Sequence, residues 1–365
     1  MAKSKVYFVD MRFSGKNLLD KMELMLRAAG FFDIDYKDKF VAIKMHFGEP
    51  GNLAFLRPNY ASRVASLVRG SGGKPFLTDC NTLYKGRRAN AVDHLLAASE
   101  NGFNLLSAGC DVIIADGLRG ADYREVEIGL KHVKRAKIGS AIAEADVVIS
   151  LSHFKGHEQT GFGGALKNLG MGSGSVGGKL EMHSDSKPEI NRGNCIGCGA
   201  CLRNCAQGAI ALDGEKKAVI DLAQCVGCGQ CIATCRYDAA GAPWNAASTQ
   251  EKIAEYAYAT VKGKPSFHVS FVMNVSPDCD CWGHNDAALV PDIGILASKD
   301  PVAIDRAAFD LVNAAPRNPA SAASKGDGGS GDVFQAAHPG IDGKLGLDYA
   351  ETIGLGSQDY ELVKM

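Results

Sequence analysis

Eight of the twelve cysteines fall into two runs of one spacing. Cys195, Cys198, Cys201 and Cys205 read C-x2-C-x2-C-x3-C, and Cys225, Cys228, Cys231 and Cys235 repeat it thirty positions later. A 4Fe–4S cube needs four thiolates in tetrahedral directions, and two-residue gaps let three of them come from one tight loop. The fourth comes from elsewhere, which in a doubled run of this kind is the last cysteine of the other run. The spacing therefore assigns Cys195, Cys198, Cys201 and Cys235 to one cube and Cys225, Cys228, Cys231 and Cys205 to its twin. Two zinc sites are the competing reading, but zinc sites pair C-x2-C units across a longer gap. A disulfide framework needs an oxidising compartment. The opening residues, Met1 to Asp10, run straight into a strand-like stretch with no charged-then-apolar leader.

The doubled run is the signature of a two-cluster bacterial ferredoxin, with one departure. Where proline follows the last cysteine in that signature, Ala206 and Arg236 stand here. Arg236 places a fixed positive charge beside the first cluster, which favours the more negative, reduced cube and raises its potential.

The chain has 365 residues, far more than two clusters need, and a net charge of -1. Its ordinary apolar and charged fractions describe a globular chain with a sizeable core. A near-neutral balance gives no basic footprint for nucleic acid, and no stretch reaches the about 20 apolar residues of a membrane span. With eight thiolates reserved for oxygen-sensitive cubes, the expected location is a reducing, anaerobic cytoplasm.

These ligands need elements to hold them. Apolar strand-like runs at Val6 to Val9, Phe40 to Phe47, Lys74 to Asp79, Asp111 to Ala115 and Asp146 to Ser152 alternate with helical segments at Leu18 to Ala29, Ala61 to Arg69 and Ala91 to Ala98. The pattern resumes after the cysteines with a helix over Glu251 to Lys262, strands at Phe267 to Val275 and Pro291 to Ala297, a helix over Val302 to Ala314 and a short one near Leu347 to Ile353. The fold class expected is α/β, a mostly parallel sheet covered by helices, with an inserted two-cluster ferredoxin-like α+β module. Residues 1–186 and 242–365 form the discontinuous host, and 187–241 the insert.

Open α/β sheets bind ligands outside the carboxyl ends of their strands. Lys44, His46 and Glu49, Asp79, Asp116, and the segment from His153 to His157 all fall at such ends. In an extended segment His153, Lys155 and His157 face one way, giving two imidazoles and an ammonium able to bind an anion or donate protons. These three and His46 are the candidate catalytic residues; the bland alternative is solvated charge on a loop and, for His46 and Asp116, a cap or turn role. The glycine-rich stretch from Gly161 to Gly178 lets backbone N–H groups approach a phosphate, a carboxylate or cluster sulfurs, but matches neither a dinucleotide fingerprint nor a P-loop. Cys279, Cys281 and His284 supply ligand types for a soft or borderline metal or a further cluster; reactive thiols and plain turn residues are the alternatives.

The segments Ser152–His157, Gly163–Gly172, Cys279–Cys281 and Asp292–Pro301, with the two cysteine runs, resemble the domain-of-unknown-function 362 family of Fe–S centre proteins that carry a ferredoxin module. The resemblance covers nearly the whole chain. It implies two 4Fe–4S clusters in an α/β host and implies no substrate. The expected function is an iron–sulfur electron-transfer protein or oxidoreductase, fed by a ferredoxin-like or redox-enzyme partner and passing electrons to a small-molecule site in the host. Two alternatives stand beside it: a non-enzymatic electron-transfer subunit or redox sensor, and a metal-dependent enzyme using the Asp278 to Cys281 region with structural clusters.

Overall fold

The computed structural model describes all residues except 1–2, 85, 184–186, 228–229, 238, 242–245 and 326–330. Eight strands make its main sheet: Ser4–Asp10 (β1), Phe40–Lys44 (β2), Lys74–Asp79 (β3), Val112–Ile114 (β4), Val147–His153 (β5), Ser266–Val272 (β6), Gly294–Ser298 (β7) and Tyr360–Lys364 (β8). Their order is β8-β1-β7-β6-β5-β2-β3-β4. Every pairing is parallel except those of β7, which runs antiparallel to β1 and β6.

Side chains alternate between two faces, and each face has its own core. Val148, Val272 and Leu296 pack with helices Ala165–Ser173, Ala246–Val261, Pro301–Ala314 and Lys344–Thr352. Ile149, Phe271 and Ile295 pack with Met22, Met25 and Leu26 of helix Leu18–Ala28 and with Val64, Ala65 and Val68 of helix Pro58–Gly70. Being covered on both faces, β5 is buried along its whole length, which is why its first five residues read as a near-continuous apolar run broken only by Ser150.

Residues 187–241 stand apart. Strands Glu189–Ile190 and Ala240–Gly241 pair with each other, so the segment leaves and returns at one place. A hairpin of Ile210–Leu212 with Ala218–Ile220 and helices Ala200–Asn204 and Gln230–Ala233 lie between. Cys195, Ile210, Ala218, Cys231, Ala239 and Ala240 form a separate small core.

Two local readings change, and one strand lies where the sequence offered no reading. The glycine-rich stretch is largely helical, over Ala165–Ser173 and Val176–His183. Its glycines serve packing: a Cβ on Gly170 would sit 2.1 Å from the Ile253 carbonyl, and one on Gly172 would meet the Lys44 ammonium. The expected strand from Phe267 to Val275 stops at Val272, where a long loop begins. The closing strand β8 carries no apolar run and forms because β1 leaves an edge for it, with Ser4 opposite Tyr360. No helix among the described residues is long and apolar enough to cross a membrane.

Candidate functional site

A cavity with about 1060 Å³ of empty space opens at the carboxyl ends of β2, β3 and β5. That places it where parallel sheets bind ligands. Lys44 closes β2 and Asp79 closes β3, and the two make a buried ion pair at 3.0 Å. Asn168, one helical turn before Gly172, accepts from the Lys44 ammonium at 2.8 Å and donates back to the Lys44 carbonyl at 2.9 Å. Burial pushes the Lys44 ammonium down, with Asp79 opposing. Burial alone would raise Asp79, but Lys44, His46, His94 and Arg88 together hold it well below the carboxylate range. Arg88 is itself buried, donating to Glu49 at 2.9 Å and to the Tyr84 hydroxyl.

His153, Lys155, His157 and His46 all line this cavity. His153 is spent on structure. Its Nδ1 meets both Asp280 oxygens at 2.8 and 2.9 Å, and its Nε2 faces the Met273 carbonyl at 2.9 Å. Lys155 lies 3.3 Å from the same carboxylate. Burial opposes ionisation of Asp280, yet His153 and Lys155 hold it charged and low. The geometry depends on Gly156, whose N–H donates to the Ser276 carbonyl and whose missing Cβ would fall 2.1 Å from the Pro277 oxygen. His157 accepts the N–H groups of Gln159 and Thr160 at Nδ1, so a neutral ring carries its hydrogen on Nε2. His46 likewise accepts from Gly48 N–H at Nδ1. Burial, helped by Arg88, keeps its pKa well below the ordinary imidazole value.

Across from these rings stands the C-x-C pair. Cys279 is buried and accepts hydrogen bonds from Cys281, His157 and the Lys167 ammonium, the last at 3.1 Å. The Cys281 S–H bond pulls Cys279 well below the ordinary thiol range; burial opposes this, and Lys167, His157 and Lys155 reinforce it. The same bond pushes Cys281 well above it. The hydrogen bond between the two sulfurs therefore favours the charge on Cys279 and the proton on Cys281. His284, grouped with these cysteines by sequence, is exposed beside Trp282 instead, because the chain turns outward after Cys281. The imidazole at the sulfur is His157. Among the described residues, no group of three or more His, Cys, Asp or Glu side chains is disposed to hold a single metal ion.

Asp116 lies outside the cavity and accepts both the backbone and side-chain N–H groups of Asn81, a turn role. Arg88, Tyr84, Asn168, Lys167 and His183 line the cavity without a sequence signal of their own. Lys167 and Asn168 had one within reach: both lie in the Gly163–Gly172 segment that carries the family resemblance.

A second, smaller pocket lies in the 187–241 segment. Cys195, Cys198, Cys201 and Cys235 all line it, among Ile190, Ile196 and Leu212. Backbone N–H groups point at the sulfurs: Ala218 at Cys195, Ala209 at Cys205, Gly227 at Cys225 and Ala239 at Cys235. The equivalent bonds of Ala209 and Ala239, each four residues past its cysteine, express the internal repeat. Four thiols around an apolar hollow, with N–H groups aimed at sulfur, are a donor set that fits a 4Fe–4S cube. Cys205, Cys225 and Cys231 lie in the same segment, while Cys228 is outside the described residues. His183 lines the main cavity and hydrogen-bonds the backbone of Gly227, so the second cysteine run reaches the cavity wall.

A thylakoid-associated protein of Synechocystis sp., sll1697, is 31% identical over 145 residues, which are 39% of this chain and 40% of that protein. The chain thus matches well under half the length of this curated relative. The lactate racemase apoprotein from Thermoanaerobacterium thermosaccharolyticum aligns at 12% identity and a TM-score of 0.34, over 74% of this chain and 51% of the racemase. The family model described as Domain of unknown function (DUF362) matches residues 41–310, and the chain belongs to that family.

Proposed function

We propose that this chain is an iron–sulfur oxidoreductase or electron-transfer protein of a reducing cytoplasm, with two 4Fe–4S clusters in residues 187–241 serving the cavity of the α/β host. The observation that carries this reading is the convergence of Cys195, Cys198, Cys201 and Cys235 on one apolar pocket, with the last of these coming from the other run. When bound, the clusters would supply one-electron transfers, drawn from a ferredoxin-like partner. Contact between His183 and Gly227 supports a short route from the second cysteine run to the cavity.

The chain's own residues account for the rest of the chemistry. Burial drives the His183 pKa down to about 3, so this ring is neutral and adds no charge between the two sites. His157 holds a proton on Nε2 toward the Cys279 sulfur, and Cys281 holds a second, so protons are stored beside the thiolate. Lys167 balances the sulfur's charge, and the His153–Asp280–Lys155 trio keeps the loop at that distance. The thiolate and its two proton donors are the groups able to meet a substrate.

Anaerobic purification or reconstitution tests the reading directly. About eight irons and eight labile sulfides per chain are expected, with electron paramagnetic resonance signals on reduction. Far fewer than eight irons, or irons that take up no electron, would sink it.

A further inference from the structure

The cavity's polar atoms are unevenly satisfied, and the imbalance has a sign. Four of its five fixed cations have anionic partners: Lys44 with Asp79, Arg88 with Glu49, Lys155 with Asp280, and Lys167 with the Cys279 sulfur. Lys179, the fifth, is 6% exposed and donates to the Gly174 carbonyl. No carboxylate stands within ion-pair distance of it among the described residues, and two of its three hydrogens remain. The buried Asp116 carboxylate acts on it only from beyond ion-pair distance, and a buried ammonium with no direct ion pair is costly to keep. Further donors on the wall are also unmatched among the described residues: the Trp282 indole N–H, the Gln159 amide Nε2 and the Thr82 hydroxyl, all on residues at most 8% exposed. Against them stand two unmatched acceptors, His183 Nδ1 and Oε2 of the Glu158 carboxylate, whose nearest cationic partner is His157 Nε2 at 3.8 Å. The surplus is in donors, and the indole and ammonium can only donate.

We infer that this cavity binds a small organic anion rich in hydrogen-bond acceptors, a polycarboxylate or a phosphate ester, with the Lys179 ammonium as its charge partner. The ligand carries at least one hydroxyl or amino hydrogen as well, to meet Glu158 or His183. The inference deepens the proposed function by naming the substrate class and rests on the same cavity being the working site.

Thermal unfolding of the anaerobically purified, cluster-bearing chain tests it, with tricarballylate, with glycerol 3-phosphate, and with sodium chloride at matched ionic strength. A rise in melting temperature with either organic anion and not with chloride supports the inference, and the arm that responds tells carboxylate from phosphate. Lys179→Met is expected to weaken anion binding about tenfold or more. Trp282→Phe, which keeps the ring and removes the N–H, is expected to weaken binding about three- to tenfold. The inference is overturned if neither anion exceeds chloride, or if Lys179→Met binds as tightly as the parent. Iron content and reducibility, measured on the same samples, separate the two readings. Protein with eight reducible irons that binds neither anion overturns only this inference, and protein that binds an anion but holds no iron overturns only the electron-transfer reading.

Discussion

A thiolate is the nucleophile and the metal ligand that a thiol is not, so the environment of one sulfur decides what the C-x-C pair can do. Cys279 gathers three donors, from Cys281, His157 and Lys167, while Cys281 receives no comparable support. Alkylation by iodoacetamide, mapped by peptide mass against pH, should therefore label Cys279 with a midpoint well under the about 8.5 of a free thiol and leave Cys281 largely unlabelled. Lys167→Met should move that midpoint up by about one unit or more, because it deletes the ammonium at 3.1 Å. Equal labelling of both cysteines in the parent protein would refute the asymmetry. The triplet His153, Lys155 and His157 was legible from its two-residue spacing. Its division of labour was not, because the carboxylate that engages His153 and Lys155 is more than 120 positions away.

Helix Ala165–Ser173 carries Lys167 and Asn168 into the cavity, and its position rests on two contacts of different kinds. Gly170 lets it lie against the Ile253 carbonyl of helix Ala246–Val261. In an isolated helix, alanine is favoured over glycine by about 1 kcal/mol. Here Gly170→Ala should instead destabilise by about 2–4 kcal/mol in chemical denaturation, since a Cβ 2.1 Å from backbone forces the helices apart. The second contact is Asp305, whose carboxylate accepts the N–H groups of Ala165 and Leu166 at 2.6 and 2.9 Å, capping this helix from helix Pro301–Ala314. Burial pushes the Asp305 pKa up to about 7, against the pull of those two N–H groups. Below about pH 4 the carboxyl is protonated in both folded and unfolded chains, so its contribution is at its most favourable. Between about 4 and 7 only the unfolded chain releases the proton, and stability falls by up to about 1.4 kcal/mol per pH unit. Above 7 the loss levels off. Asp305→Asn should flatten that window relative to the parent protein, and an unchanged pH slope would show that burial does not govern this carboxyl.

At the scale of the whole molecule the question is how the cysteine-bearing segment joins the sheet that holds the cavity. Crossed ligation makes a prediction that sequential ligation does not. Cys235→Ala should abolish the same paramagnetic signal, and the same share of about four irons, as Cys195→Ala, because both sulfurs face one pocket. If Cys235→Ala instead removed the signal lost in Cys225→Ala, each run would hold its own cluster.

The chain order alone determined a good deal. Near-continuous apolar runs marked most strands of the main sheet, amphipathic spacing marked its helices, and the doubled cysteine spacing marked the pocket in residues 187–241, since each of these signals lies within a few neighbouring positions. Strand β8 escaped, because a short edge strand with two exposed glutamate and lysine positions is specified by its partner β1 and by no pattern of its own. The helical state of the glycine-rich stretch escaped for a related reason: glycine disfavours an isolated helix, and only the close approach of helix Ala246–Val261 and of Lys44 makes the absence of a side chain useful. His157 beside Cys279, Lys179 with no carboxylate beside it and Arg88 between Glu49 and Asp79 were decided by the tertiary structure alone. Local sequence sets what a segment prefers to be, whereas the field and the partners at a buried site are summed over strands and loops that only folding brings together.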